Sequence, residues 1–169
     1  MKRIFFLLFY LFSIPVLAEE KPVSFSLDAG RSRDDINVYR VGVQSDFTDW
    51  LKNKDVALSG YLESSLNYWK SSADEIVGIA FSPVFYVPLC ENCQTVPYLE
   101  AGVGLALISK KIIKQRNMSS TFQFEDRLGF GIKAGNFDFH LRYMHYSNAG
   151  LVNPNDGIDI FIAGVAIQF

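Results

Sequence analysis

The sequence predicts an all-β protein, an eight-stranded antiparallel up-and-down transmembrane β-barrel, and three observations carry that prediction. Eight segments alternate in character from one residue to the next, and many run ten residues or longer. An ordinary strand has about 5–6 residues, whereas one that crosses a membrane has about 9–11. Within the segments one face is apolar and aromatic, and the other mixes glycine with charges of both signs. Aromatic residues make up 15% of the 169-residue chain, with 15 Phe and 8 Tyr. Beyond the N-terminus no stretch sustains the about 20 apolar residues of a membrane helix.

The chain opens with Lys2 and Arg3, then an apolar run from Ile4 to Val16. Val16-Leu17-Ala18 ends on a small residue. This pattern predicts a signal peptide over residues 1–18, cleaved after Ala18, with residues 19–169 forming one barrel domain. Cleavage removes Lys2 and Arg3 and no acid, so the mature chain is more acidic than the formal net charge of −2 for the whole chain. That balance argues against nucleic acid as a partner.

Turn-forming residues divide the remainder into strands near 23–30, 36–47, 56–68, 74–88, 95–109, 121–133, 136–147 and 157–169. The second places Tyr39, Val41, Val43 and Phe47 against Arg40, Gly42, Gln44 and Asp46. In the fifth, Leu99, Ala101, Val103, Leu105 and Leu107 oppose Tyr98, Glu100, Gly102 and Gly104. The sixth sets Phe122, Phe124, Leu128, Phe130 and Ile132 against Gln123, Glu125, Arg127, Gly129 and Gly131. In the seventh, Phe137, Phe139, Leu141, Tyr143 and His145 share one face, and Asp138, His140, Arg142 and Met144 the other. The eighth aligns Asp159, Phe161, Ala163, Val165, Ile167 and Phe169.

Parity alone leaves open which face is outward. A soluble ligand-carrying barrel turns its apolar face in, and a membrane barrel turns it out. Three features favour the membrane barrel. The polar face is rich in Gly, as a narrow interior requires. It carries Glu63, Glu100 and Glu125 together with Arg40, Arg127 and Arg142, which can pair inside. The last strand ends on Phe169, which resembles the terminal aromatic of bacterial outer-membrane barrels. With both termini in the periplasm, the periplasmic turns are 48–55, 89–94 and Gly135-Asn136. The external loops are then near 31–35, 69–73, 110–120 and 148–156.

Cys90 and Cys93 fall on a periplasmic turn between two strands. In an exported chain they suit a short disulfide-closed turn; the rival reading is a redox Cys-x-x-Cys site, which normally opens a helix. Two thiols are too few for a closed zinc site, and no metal or other cofactor is expected.

The chemistry concentrates in His145-Tyr146-Ser147-Asn148-Ala149-Gly150 and the following Asn155-Asp156-Gly157-Ile158-Asp159. His145 and Ser147 share a strand face, and Asp159 returns on the next strand with the same parity. A nucleophile, a base and an orienting carboxylate thus lie within one hairpin, on the lipid-facing wall near its outer end. Polar side chains there are costly and call for a reason. An oxyanion would find donors in the Gly150 N–H and in the amide of Asn148 or Asn155. Asn155, Asp156 and Gly157 are also ordinary turn residues, and Asp156 is an alternative acid. His140 shares the interior face with Arg142 and reads as structural.

The string His145 to Leu151, with Pro154-Asn155-Asp156-Gly157-Ile158, resembles the C-terminal signature of the PagL family of lipid A 3-O-deacylases. The resemblance implies an eight-stranded outer-membrane barrel that removes the ester-linked 3-hydroxyacyl chain from position 3 of lipid A in the outer leaflet. It implies Ser147 as nucleophile, His145 as base, Asn155 and the Gly150 N–H as oxyanion donors, and Asn148 as a supporting residue. Asp159 departs from the family pattern, which has Glu there. Lys110, Lys111, Lys114 and Arg116 read equally as a solvated loop or as contacts for lipid A phosphates. The alternative function is a non-catalytic eight-stranded outer-membrane barrel with a structural or adhesion role. Nothing in the sequence specifies an oligomer.

Overall fold

In the computed structural model, which describes residues 22–48, 58–90 and 92–169, eight long antiparallel strands close into a barrel in the order β1-β10-β9-β8-β5-β4-β3-β2. The strands are β1 (Val23–Ser32), β2 (Asn37–Asp46), β3 (Ser59–Lys70), β4 (Glu75–Pro88), β5 (Thr95–Ile108), β8 (Phe122–Ala134), β9 (Phe137–Ser147) and β10 (Ile158–Gln168). Between β5 and β8 a short hairpin of β6 (Ile112–Ile113) and β7 (Arg116–Asn117) stands apart from the barrel wall. The sequence reads that segment as plain loop, because two-residue strands are too short to show a period. The signal peptide over 1–18 lies outside the described residues, as do most of turn 48–55 and the first residues of the third expected strand.

Closure joins β1 to β10 over nine paired positions, from Ser24 opposite Gln168 to Ser32 opposite Ile160. Phe169 finishes the seam: its N–H donates to Val23 O at 3.0 Å, and its ring meets that of Phe25 edge-on at 5.8 Å. Closure leaves no sheet edge in hydrocarbon. The exposed side chains answer the question parity left open. Leu27, Leu66, Val103, Leu128 and Leu141 are each 60–62% exposed and sit on five different strands. An apolar surface that encircles the molecule is the wall of a membrane barrel, with its polar residues inside.

The interior has two tiers. Across the middle, Arg40, Arg127 and Arg142 are buried with Glu63, Glu100, Glu125 and Asp28. Arg40 meets Glu125 at 2.7 Å, Arg127 meets Glu63 at 2.6 Å, and Arg142 pairs with Glu100. Tyr61 and Tyr146 donate to Glu100 and Glu125, each at 2.6 Å. Toward the end that carries the long loops, the inside turns apolar: Ile36, Trp69, Ile76, Ile108, Met144, Ile158 and Ile160 pack with Ile113 and Met118 from the hairpin segment. The sequence marks the inner face by its glycines and charges, with Met144 among them; the structure adds an apolar upper tier. It arises because the loop segment folds down and caps the barrel with its own side chains. His140 is buried against Asp28, part of the interior network.

At the opposite end, Cys90 and Cys93 form a disulfide. It closes the turn between β4 and β5 and opens no helix.

Candidate functional site

The register of β9 against β10 decides the site. Asp159 lies directly opposite His145, with Ile158 opposite Tyr146 and Ile160 opposite Met144. Residues facing each other across antiparallel strands have Cβ atoms about 4.5–5.5 Å apart. An aspartate therefore reaches an imidazole on the neighbouring strand. His145 Nδ1 and Asp159 Oδ1 are 2.8 Å apart. With Nδ1 donating to the carboxylate, Nε2 carries the free lone pair and is the nitrogen available as a base. Asp156, the alternative acid, is engaged elsewhere: its carboxylate accepts the Asn117 N–H at 2.7 Å.

Ser147 follows His145 by two residues on the same outward face and ends β9. Alternate residues of a strand lie about 7 Å apart, and among the described residues no hydrogen bond joins Ser147 Oγ to His145 or to any other group. Phe124 of β8 lies opposite it in the register.

Gly157 shapes the space beside the imidazole. Its φ is +57°, and a Cβ there would stand 2.9 Å from His145 Cε1 and 3.3 Å from Nε2. The sequence explains this glycine as a turn residue; the structure adds that it makes room for the ring.

The loop from Asn148 to Gly157 supplies the amide groups. Asn148 is fully buried. Its Nδ2 donates to Met118 O at 2.9 Å and to Val152 O at 2.8 Å, which makes it the spine of the loop. Its N–H donates to Asn155 Oδ1 at 3.1 Å. That bond fixes the orientation of the Asn155 amide and leaves its Nδ2 without an acceptor among the described residues. Gly150 is exposed with φ +77° and nothing near its Cβ position.

The four basic residues of the external loop divide into two pairs. Arg116 Nε donates to Asp34 Oδ2 at 2.8 Å, and its NH1 donates to Asp156 O at 3.0 Å. Lys114 Nζ donates to the carbonyls of Asp34 and Asp35. Both tie neighbouring loops together. Lys110 and Lys111 are exposed.

Three outward residues beside the pair escape the sequence reading. The Tyr143 phenol donates to Asp159 Oδ1 at 2.7 Å. The Arg33 guanidinium lies 3.9 Å from Asp159 Oδ2. Asp126 of β8 faces His145 from the side opposite Asp159, and it makes no ion pair among the described residues. The interruption of the apolar series Phe122, Phe124, Leu128 by Asp126 was the available signal. For Tyr143 the signal was its place two residues before His145 on the same face, read there as one more aromatic of the apolar wall; for Arg33, in a loop, no strand pattern carries one. Along the same wall an open groove of about 470 Å³ is lined by Phe85, Val103, Asp126, Leu128 and Tyr143.

Known proteins resemble this chain in family, in sequence and in fold. Residues 37–168 match the family model for lipid A 3-O-deacylase (PagL). The lipid A deacylase PagL of Pseudomonas aeruginosa is 33% identical over 150 residues, covering 86% of each chain. Its namesake from Bordetella bronchiseptica is 38% identical over 73 residues, covering 43% of this chain and 41% of that one. Among solved structures, the outer membrane enzyme PagL superposes with a TM-score of 0.78 at 32% identity, covering 86% of this chain and 99% of that one. The N-terminal β-barrel domain of Pseudomonas aeruginosa OprF, at 16% identity and a TM-score of 0.55, shares the fold alone.

Proposed function

The chain belongs to the PagL family of lipid A 3-O-deacylases, and from that membership we propose that it is an outer-membrane serine esterase that removes the 3-hydroxyacyl chain from position 3 of lipid A. The observation that carries the proposal is the His145–Asp159 hydrogen bond, 2.8 Å long, on an outward wall that also presents Ser147. A hydrolytic group placed there meets lipid in the outer leaflet and nothing that enters the barrel.

In this mechanism Ser147 Oγ attacks the ester carbonyl carbon while His145 Nε2 takes its proton. Asp159 holds the imidazole in the Nδ1–H tautomer and stabilises the imidazolium. The negative charge on the former carbonyl oxygen is met by the Asn155 Nδ2–H and the Gly150 N–H. Collapse breaks the bond to the sugar oxygen, which takes the proton from Nε2. Water, deprotonated by the same Nε2, then attacks the acyl-enzyme carbonyl; the bond to Ser147 Oγ breaks, Oγ takes the proton back from Nε2, and the 3-hydroxy fatty acid is freed. Asn148 keeps the loop in place. The groove along Phe85, Val103 and Leu128 offers the departing acyl chain an apolar wall. Lys110 and Lys111, with Lys114 and Arg116 behind them, form the basic rim that lipid A phosphates approach. The proposal includes export by a signal peptide over 1–18 and a mature barrel of 19–169.

Mass spectrometry of lipid A from cells with and without the protein tests the reading. Expression removes one 3-hydroxyacyl group, and Ser147→Ala leaves lipid A intact. Deacylation that survives Ser147→Ala overturns the serine mechanism. The intact mass of protein purified from membranes checks cleavage after Ala18.

A further inference from the structure

We propose that Tyr143 is a positioning residue of the hydrolytic site, whose phenol fixes the Asp159 carboxylate so that an aspartate serves His145 from directly across the strand pair. This rests on the reading of Ser147, His145 and Asp159 given above.

An aspartate has a short stem with only two side-chain torsions. From directly opposite His145, the aspartate reaches the imidazole with few torsions to spare. One hydrogen bond from Nδ1 leaves the carboxylate free to turn about its Cβ–Cγ bond and to exchange its oxygens. A second donor on the same side of the carboxylate removes that freedom. Tyr143 supplies it. It precedes His145 by two residues on β9 and points to the same face, and its OH lies 2.7 Å from Asp159 Oδ1. That is the oxygen His145 Nδ1 meets at 2.8 Å. The two donors from one strand thus converge on one oxygen, and Oδ2 is left facing Arg33 at 3.9 Å.

The phenol is itself held. Phe161 lies opposite Tyr143 in the register, and their rings are tilted together with centroids 5.3 Å apart. No other acceptor for the Tyr143 hydroxyl occurs among the described residues. A tyrosine near the edge of a membrane barrel ordinarily anchors its ring at the interface with its hydroxyl toward the head groups. This one directs its hydroxyl along the wall onto a carboxylate. The anchoring role predicts an effect on stability, and the positioning role predicts one on the chemical step.

The experiment uses the full chain in detergent micelles, with purified lipid A as the substrate and released 3-hydroxy fatty acid as the readout. Tyr143→Phe keeps the ring and removes the donor. It lowers kcat about ten-fold, the scale of one hydrogen bond to a charged group. KM stays within about two-fold, because the lost interaction touches no substrate. Asp159→Glu supplies the second arm. Its longer stem carries the carboxylate past the phenol, so Tyr143→Phe in that background costs less than about two-fold. An unchanged kcat in Tyr143→Phe overturns the proposal, as does a loss confined to KM or an equal loss in both backgrounds. If Asp159→Glu is itself inactive, the split between kcat and KM decides alone. Ser147→Ala, run in parallel, separates the two levels. Activity in Ser147→Ala overturns the esterase mechanism itself. An inactive Ser147→Ala beside a normal Tyr143→Phe overturns only the role of Tyr143.

Discussion

At the scale of single residues, the site depends on small groups that leave space as much as on the groups that react. Gly157 is the clearest instance. Its φ of +57° lies where side chains rarely go, and a Cβ there would press on His145 Cε1 at 2.9 Å. Gly157→Ala therefore combines backbone strain of about 1–2 kcal/mol with displacement of the imidazole. A shift of the base by a fraction of an ångström costs about 10²-fold in rate when the geometry is tight. The expected result is a folded barrel with kcat about 100-fold down, measured as fatty-acid release alongside a urea midpoint only slightly reduced. An unaffected rate would mean that the ring is not where the chemistry needs it. Asp159 and Asp156 show the converse, that one of two similar acids is selected by its surroundings. Asp156 accepts the Asn117 N–H and belongs to the loop scaffold, whereas Asp159 faces His145 and Tyr143. Asp159→Asn then lowers kcat by about 10³-fold or more by losing the tautomer control, and Asp156→Asn lowers it far less in the same assay.

At the scale of elements, the β6–β7 hairpin links the loops above the site. Lys114 reaches the loop between β1 and β2, and its N–H donates to Asp74 Oδ2 between β3 and β4 at 3.2 Å. Arg116 reaches Asp34 and the Asp156 carbonyl together. Because Asp156 adjoins Gly157, the guanidinium steadies the segment that clears space for His145. Arg116→Ala is expected to lower kcat about three- to ten-fold while the barrel folds normally, read from turnover and from heat-modified gel mobility. This bracing was not legible in the sequence, and the reason is physical. A strand of ten residues repeats its alternation several times, so parity put Arg40 and Arg127 on one face and Tyr39 and Leu128 on the other, and the glycines and pairable charges of the first face marked it as the interior. Two-residue strands repeat nothing. Register between strands is likewise a property of pairs. The row Asp126–His145–Asp159 across β8, β9 and β10 needs two registers at once, so the break that Asp126 makes in the apolar series of its strand could not be tied to His145. Ser147, His145 and Asn155 stood out as candidates because they fall close together in one recognisable string.

At the scale of the whole molecule, the fold separates two problems in space: the wall carries the proposed chemistry and the interior carries the buried charge network. The wall must be apolar, which leaves the interior to be filled. A narrow barrel filled only with small residues would hold voids. This one fills its middle with long charged side chains that pair with each other and caps that layer with Trp69, Met144, Met118 and isoleucines. The charges are out of water, so each needs its partners. Arg127 is fully buried against Glu63 at 2.6 Å and Glu125 at 3.0 Å, with Tyr61 OH at 3.4 Å. Cutting it back to alanine removes two ion pairs at once and leaves Glu63 and Glu125 both leaning on Arg40. Breaking one side of a buried pair costs about 3–5 kcal/mol. Arg127→Ala is therefore expected to lower the unfolding free energy by about that amount, measured by urea titration of the barrel in lipid vesicles. The same variant keeps kcat within about three-fold below the transition, since Arg127 makes no contact with Ser147, His145 or Asp159. Stability lost with turnover retained is what a divided molecule gives; a parallel collapse of both would show that the ionic interior also sets the geometry of the wall.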